Sequence, residues 1–169
     1  MTDKMRVTLT VNDRPREVWV WPHQNLLHVL REELGQTEVK YGCGEGVCGT
    51  CTVLLDDVSI NSCLIFAVQA NGRSVTTVRG LGEEGELHLL QERFLELGAS
   101  QCGFCTPGML LIAHEFLSRQ PGAGREEIRT ALAGNLCRCT GYTKILDAVE
   151  AFARDRATSG PNGEQEAER

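Results

Sequence analysis

The stretch Tyr41-Gly-Cys-Gly-Glu-Gly-Val-Cys-Gly-Thr-Cys51 places Cys43, Cys48 and Cys51 at a C-x4-C-x2-C spacing, and Cys63 follows twelve residues later. Four thiols this close in sequence constrain the chain more tightly than any hydrophobic pattern, because the loop must curl until its sulphurs face one small volume. Gly42, Gly44, Gly46 and Gly49 leave almost no side chain between the cysteines. The backbone can therefore wrap an inorganic core closely and aim N–H groups at its sulphurs, which offsets part of the negative charge of a thiolate-ligated centre. The spacing is the one that holds a 2Fe–2S cluster. Spacing and glycines together favour it over a zinc or disulfide site.

The chain has 169 residues, room for one ordinary domain or two small ones. Hydrophobic residues make up 41% and aromatics only 5%. Each half alone has a thin core, so a metal staple in each would help it fold. The net charge of −6, with no basic stripe, argues against nucleic acid as a partner. No 18-residue apolar run exists, which predicts no membrane span. The segment Met1-Thr-Asp-Lys-Met-Arg-Val-Thr8 has neither an apolar export core nor a twin-arginine pair, which predicts a cytoplasmic location. In that reducing compartment the eight cysteines are expected to be metal ligands rather than disulfides.

The first half reads as a small mixed sheet crossed by one helix. Alternation predicts strands at 6–11, 17–21, 52–55, 58–62 and 74–78, with turns at Asn12-Asp13, Asp56-Asp57 and Asn71-Gly72. Asn25 is placed to cap a short helix that puts Leu26, Leu27, Leu30 and Leu34 on one face, and Gly35 to end it. This order suits the β-grasp shape of plant-type ferredoxins. Gly80 to Glu86 lacks periodicity and reads as a linker. Beyond it the pattern turns helical, at 87–97, 107–119, 125–133 and 143–156. The expected organisation is α+β: a ferredoxin domain at 1–80, a linker at 81–86, a four-helix domain at 87–156 and a disordered tail at 157–169.

The other four cysteines form Cys102-Gly-Phe-Cys105 and Cys137-Arg-Cys139. Taken alone, this set leaves zinc open beside a second cluster. Thr106-Pro107 reads as a helix cap followed by proline at the first helical position, and Thr140-Gly-Tyr-Thr143 also precedes a helix. Both pairs thus fall at helix N-termini, where free N–H groups and the positive dipole end favour thiolates and anionic centres. His23, His28, His88 and His114 read as surface or packing residues, because eight cysteines already complete two clusters. Trp19 and Trp21 share one strand face and serve either the core or a subunit contact.

Cys43-Gly-Glu-Gly-Val-Cys-Gly-Thr-Cys-Thr-Val53, Asn61-Ser-Cys63, Gln101-Cys-Gly-Phe-Cys-Thr-Pro-Gly108 and Gly134-Asn-Leu-Cys-Arg-Cys-Thr-Gly-Tyr142 closely resemble the iron–sulfur subunit of the xanthine oxidase family of molybdenum hydroxylases. The resemblance runs from about Arg6 to about Arg156. It departs at Thr50, where the family commonly has alanine; the change should not touch ligation. The resemblance implies a relay subunit with no substrate chemistry of its own. A large subunit would bind a molybdopterin cofactor, often the cytosine dinucleotide. Cys102, Cys105, Cys137 and Cys139 would hold the cluster on the molybdenum side, and Cys43, Cys48, Cys51 and Cys63 the cluster nearer FAD on a medium subunit. Gln101 and Cys139 match positions that hydrogen-bond the pterin. The second reading is a free-standing two-cluster ferredoxin.

Overall fold

The computed structural model describes residues 3–83 and 85–158. Strands β1 (Met5–Val11) and β2 (Arg14–Val20) pair antiparallel through a two-residue turn in which Asn12 and Asp13 both have positive φ, 47° and 61°. That backbone twist matches a right-twisted hairpin. Asp56 and Asp57 repeat the device, with φ of 48° and 64°, between β3 (Thr52–Leu55) and β4 (Val58–Asn61). The last strand, β5 (Ser74–Thr76), enters the middle of the sheet, whose order is β2-β1-β5-β3-β4. Its pairing with β1 is parallel and with β3 antiparallel, so the sheet is mixed, as a β-grasp requires.

Asn25 Oδ1 accepts from the His28 N–H at 2.8 Å and opens helix α1 (Leu26–His28). The sequence predicts one helix through to Leu34. Instead the turn widens over Val29–Glu33, with the Leu34 N–H reaching the Val29 carbonyl at 3.0 Å. The wider turn coincides with Arg31 bridging to the Val39 carbonyl at 2.6 Å, a tie that binds the helix end to the chain entering the cysteine loop. The apolar face survives the change: Leu26, Leu27 and Leu30 are buried with Val7, Leu9, Val20, Val53 and Val75 in the sheet-side core.

The second half comprises α2 (Leu89–Glu96), α3 (Thr106–Arg119), α4 (Arg125–Ala131) and α5 (Thr143–Thr158). Leu90, Phe94, Met109, Leu117, Ile128, Ile145, Val149 and Phe152 form its own core. Arg93 pairs with Asp155 at 2.6 Å, and Arg125 with Asp147 at 3.0 Å and with Glu150, so both short helices are tied to α5. His88 caps α2 through Nδ1 and packs on His114, ring centroids 5.0 Å apart, and on Phe152. Burial holds both imidazoles below their usual pKa range. These two histidines are packing residues, while His23 and His28 are exposed.

Strand β3 is buried along its whole length because α3 packs on the face that the sheet-side core leaves open. Val78 and Leu81 pack against the helical core, and Gln91 Nε2 donates to the Val78 carbonyl at 3.0 Å, so the chain is already docked on the helices as it leaves the sheet. Helix α5 takes in Ala157 and Thr158, the first two residues of the expected tail, because the helical pattern has no breaker before Gly160. Residues 159–169 lie outside the described residues. Trp19 and Trp21 are exposed and take no part in the core. Among the described residues no helix is long and apolar enough to cross a membrane.

Two glycines separate backbone strain from close packing. Gly35 and Gly49 share a φ of +68°, but a Cβ on Gly35 meets nothing, whereas one on Gly49 would lie 2.5 Å from the Gly134 carbonyl oxygen. Gly35→Ala should cost ~1 kcal/mol, the left-handed penalty alone. Gly49→Ala should cost about 3 kcal/mol or more, because overpacking adds to it. Denaturant midpoints of the metal-loaded chain check the difference, and equal losses would show that the Gly49 loop does not abut the helical half.

Candidate metal centres

The first cysteine loop is held from below by the strands that flank it. Asn61 Nδ2 donates to the Gly46 carbonyl at 2.9 Å, Ser62 Oγ to the Cys51 carbonyl at 2.7 Å, and Thr52 Oγ1 to the Gly49 carbonyl at 2.6 Å. With its carbonyls taken up, the loop turns N–H groups inward. The Glu45 N–H reaches Cys43 Sγ at 3.3 Å and the Cys43 N–H reaches Cys48 Sγ at 3.4 Å. The Glu45 N–H and then the Cys48 thiol bring the Cys43 pKa down to about 6. Cys63 sits deeper; burial first, then the neighbouring Cys51 thiol, pushes it up to about 11. A side chain on Gly42 would come within 2.9 Å of Cys48 Sγ, so only glycine leaves the sulphur its place.

The second set lies where two helices start. Cys105 itself occupies the cap of α3, so Thr106 is the first helical residue and Pro107 the second, one position later than the sequence predicts. The Thr106 hydroxyl is instead paired with Ser100 Oγ at 3.1 Å. Before α5, Gly141 and Tyr142 both take positive φ, 62° and 67°. This turn swings the Tyr142 hydroxyl back to accept from the Cys137 N–H at 2.9 Å and to donate to the Asn135 carbonyl at 3.2 Å. Burial raises the Cys137 thiol, but the Thr140 hydroxyl at 3.1 Å and the Thr140 N–H bring it net below its ordinary value. Burial pushes Cys105 up to about 12. The Phe104 N–H lowers Cys102, and the neighbouring Cys102 raises Cys139.

The sulphurs associate in twos. The Cys102 and Cys139 sulphurs lie 3.5 Å apart, and Cys105 is influenced in its titration by the Cys137 thiol, Cys43 by Cys48, and Cys63 by Cys51. Two thiolates on each of two irons is the demand of a 2Fe–2S cluster, whereas a structural zinc needs four ligands about one ion. The paired sulphurs, inward N–H groups and side-chain-free loop fit a cluster at each set.

The two loops also touch each other. The Leu136 N–H, one residue before Cys137, donates to the Cys48 carbonyl at 2.9 Å. Thr50 Oγ1 donates to the carbonyl of Phe104, one residue before Cys105, at 3.0 Å. Asn135 is fully buried beside Gly49 and Gly108, and neither its side-chain Nδ2 nor its Oδ1 has a hydrogen-bond partner among the described residues. Sequence reasoning places the eight cysteines but gives no role to Asn135 or the Tyr142 hydroxyl, and it notes Thr50 without its cross-loop hydrogen bond. The signal for Asn135 was a lone amide between Gly134 and Leu136 in the last cysteine stretch; for the other two nothing local announces a cross-loop role. Gln101 is exposed beside Cys102.

Comparison with known proteins agrees with this geometry. The family described as "2Fe-2S iron-sulfur cluster binding domain" matches residues 9–73, and "[2Fe-2S] binding domain" matches residues 77–150. The small FeS subunit of nicotinate dehydrogenase from Eubacterium barkeri is 46% identical over 93% of this chain and 99% of its own. The small subunit of nicotine 6-hydroxylase from Paenarthrobacter nicotinovorans is 46% identical over 88% of this chain and 89% of its own. The structure of quinoline 2-oxidoreductase from Pseudomonas putida 86 superposes with a TM-score of 0.88 at 46% identity, covering 92% of this chain and 96% of that one. The chain belongs to the iron–sulfur subunits of the xanthine oxidase family, the electron-transfer subunits of molybdenum hydroxylases. Relatives matched along nearly their whole length are subunits of larger enzymes, which sets aside the free-standing carrier.

Tyr142→Phe keeps the ring but leaves the Cys137 N–H without its acceptor. It should cost ~1–3 kcal/mol, the range for a lost partner at a part-buried donor. A chelator should then strip iron from the second set faster while iron at the first set is released at the native rate, read by iron release and EPR. Equal release from both sets would contradict the role given to the hydroxyl.

Proposed function

We propose that Cys43, Cys48, Cys51 and Cys63 hold one 2Fe–2S cluster, that Cys102, Cys105, Cys137 and Cys139 hold the other, and that the chain passes single electrons from a molybdopterin-binding large subunit toward an FAD-binding medium subunit. A cluster at each site supplies one-electron redox chemistry. The observation that carries the reading is the layout of the second set. Cys102 and Cys139 are exposed, while Cys105 and Cys137 are more deeply placed and follow the two residues hydrogen-bonded to the first loop. One side of this set therefore faces a docking partner and the other faces the first set, as a serial carrier needs.

Gln101 and Cys139 lie on the exposed side. There the Gln101 amide can donate and accept, and the Cys139 sulphur can accept, hydrogen bonds from the pterin of a molybdopterin cytosine dinucleotide held by the large subunit. Substrate binding and oxidation belong to that subunit; this chain orients the exit route.

The chain, tagged and purified from its host in mild salt, should bring down a molybdopterin subunit and an FAD subunit, with about four iron and four sulfide per copy of this chain. Recovery as a lone two-cluster monomer, or zinc without sulfide, would overturn the assignment. Cys48→Ser should abolish the EPR signal of the first set and leave flavin oxidised when substrate is added. Cys137→Ser should abolish the second signal and trap reducing equivalents in the large subunit. Flavin reduction at the native rate in either variant would refute the serial order.

A further inference from the structure

The Thr50 side chain is neither idle nor exposed. It is 4% accessible and lies between Cys48 and Cys51. Its hydroxyl crosses to the helical half and donates to the Phe104 carbonyl at 3.0 Å. Its methyl lies over Gly42, close enough that a Cβ added there would come within 2.6 Å of it. Among the described residues, the other hydrogen bond directly between the two cysteine loops joins backbone groups, Leu136 N–H to Cys48 carbonyl at 2.9 Å. Thr50 is therefore the side-chain link between the peptide next to Cys51 and the peptide next to Cys105.

We propose that the Thr50 hydroxyl is a positioning group for electron transfer between the two centres, fixing the separation and coupling of the two cysteine loops. The proposal rests on the reading that both cysteine sets hold clusters. The run Cys51, Thr50, hydroxyl, Phe104 carbonyl, Cys105 then replaces a through-space gap with one hydrogen bond. A single electron crosses; the centre in the helical half is oxidised by one and the centre in the sheet half reduced by one, with no bond formed or broken and no proton released. Alanine would leave the part-buried Phe104 carbonyl without its donor and a void over Gly42, and among the described residues the Leu136 bond would be the remaining hydrogen bond between the two loops.

Substitutions separate the hydroxyl from the methyl. Thr50→Ser keeps the donor, Thr50→Val keeps the shape, and Thr50→Ala keeps neither. In the intact complex, Thr50→Val should speed hydrogen exchange at the Leu136 amide roughly tenfold, the factor equivalent to ~1.4 kcal/mol of lost junction stability. It should also weaken the spin–spin splitting between the two fully reduced centres. Thr50→Ser should restore both. A general loss of stability would raise exchange throughout the sheet without touching the splitting. If Thr50→Val does not assemble, Thr50→Ala against Thr50→Ser reads the same contrast. Splitting and Leu136 exchange unchanged in the variant lacking the hydroxyl would overturn the proposal, as would Thr50→Ser behaving like Thr50→Val. Failure of the cluster reading itself shows separately, as unmodified chain without sulfide.

Discussion

Two sulphur-rich loops meet backbone to backbone, and the rest of the molecule is arranged around that contact. The Leu136 N–H can reach the Cys48 carbonyl at 2.9 Å only because Gly49 and Gly108 present no side chain at the crossing. A Cβ on Gly108 would come within 2.7 Å of the Gly49 carbonyl oxygen, and Asn135 fills the remaining space. The β-grasp sheet serves the contact by burying both faces of β3, which carries the first loop into place, and α3 covers the second face while its cap supplies Cys105. Sheet and helices are thus two cores that share one seam, and the seam is where the chemistry is concentrated.

Electrostatics is divided the same way within each set. Each has thiols held low by backbone N–H groups, Cys43 and Cys102, and one held high by burial, Cys63 and Cys105. A buried thiolate without a cation is costly, so iron held by the deep cysteines would displace a proton, and metal binding would be coupled to folding in both halves. Of the two exposed cysteines, Cys102 lies where the Phe104 N–H already stabilises negative charge. In each set one pair lies deeper than the other, Cys51 and Cys63 below Cys43 and Cys48, and Cys105 and Cys137 below Cys102 and Cys139, so each set has an inner and an outer side, which a relay needs.

Much of this was legible in the chain because cysteine spacing and turn chemistry are local. Asn12-Asp13, Asp56-Asp57 and Asn25 act where their sequence neighbours predict, and the leucines of α1 stay buried although the helix widens after His28. What was hidden depends on contacts across long separations. Thr50 meets Phe104 over 54 positions, and Ser59 meets Glu115 over 56. No local rule distinguishes a threonine that bridges two loops from one that faces water. The cap of α3 moved by one residue because the Thr106 hydroxyl found Ser100, another contact that helix-start rules do not contain. Tyr142 reads as part of a glycine turn, and its reach back to Cys137 depends on a left-handed φ that tyrosine seldom adopts.

We propose that two binuclear centres lie in series across this seam, each on its own four cysteines. An iron-edge anomalous difference map of the intact complex tests it most directly. The account predicts four iron peaks per copy of this chain, in two close pairs, one pair against Cys43, Cys48, Cys51 and Cys63 and the other against Cys102, Cys105, Cys137 and Cys139. A single metal peak at either set, or iron bound away from these sulphurs, would contradict it.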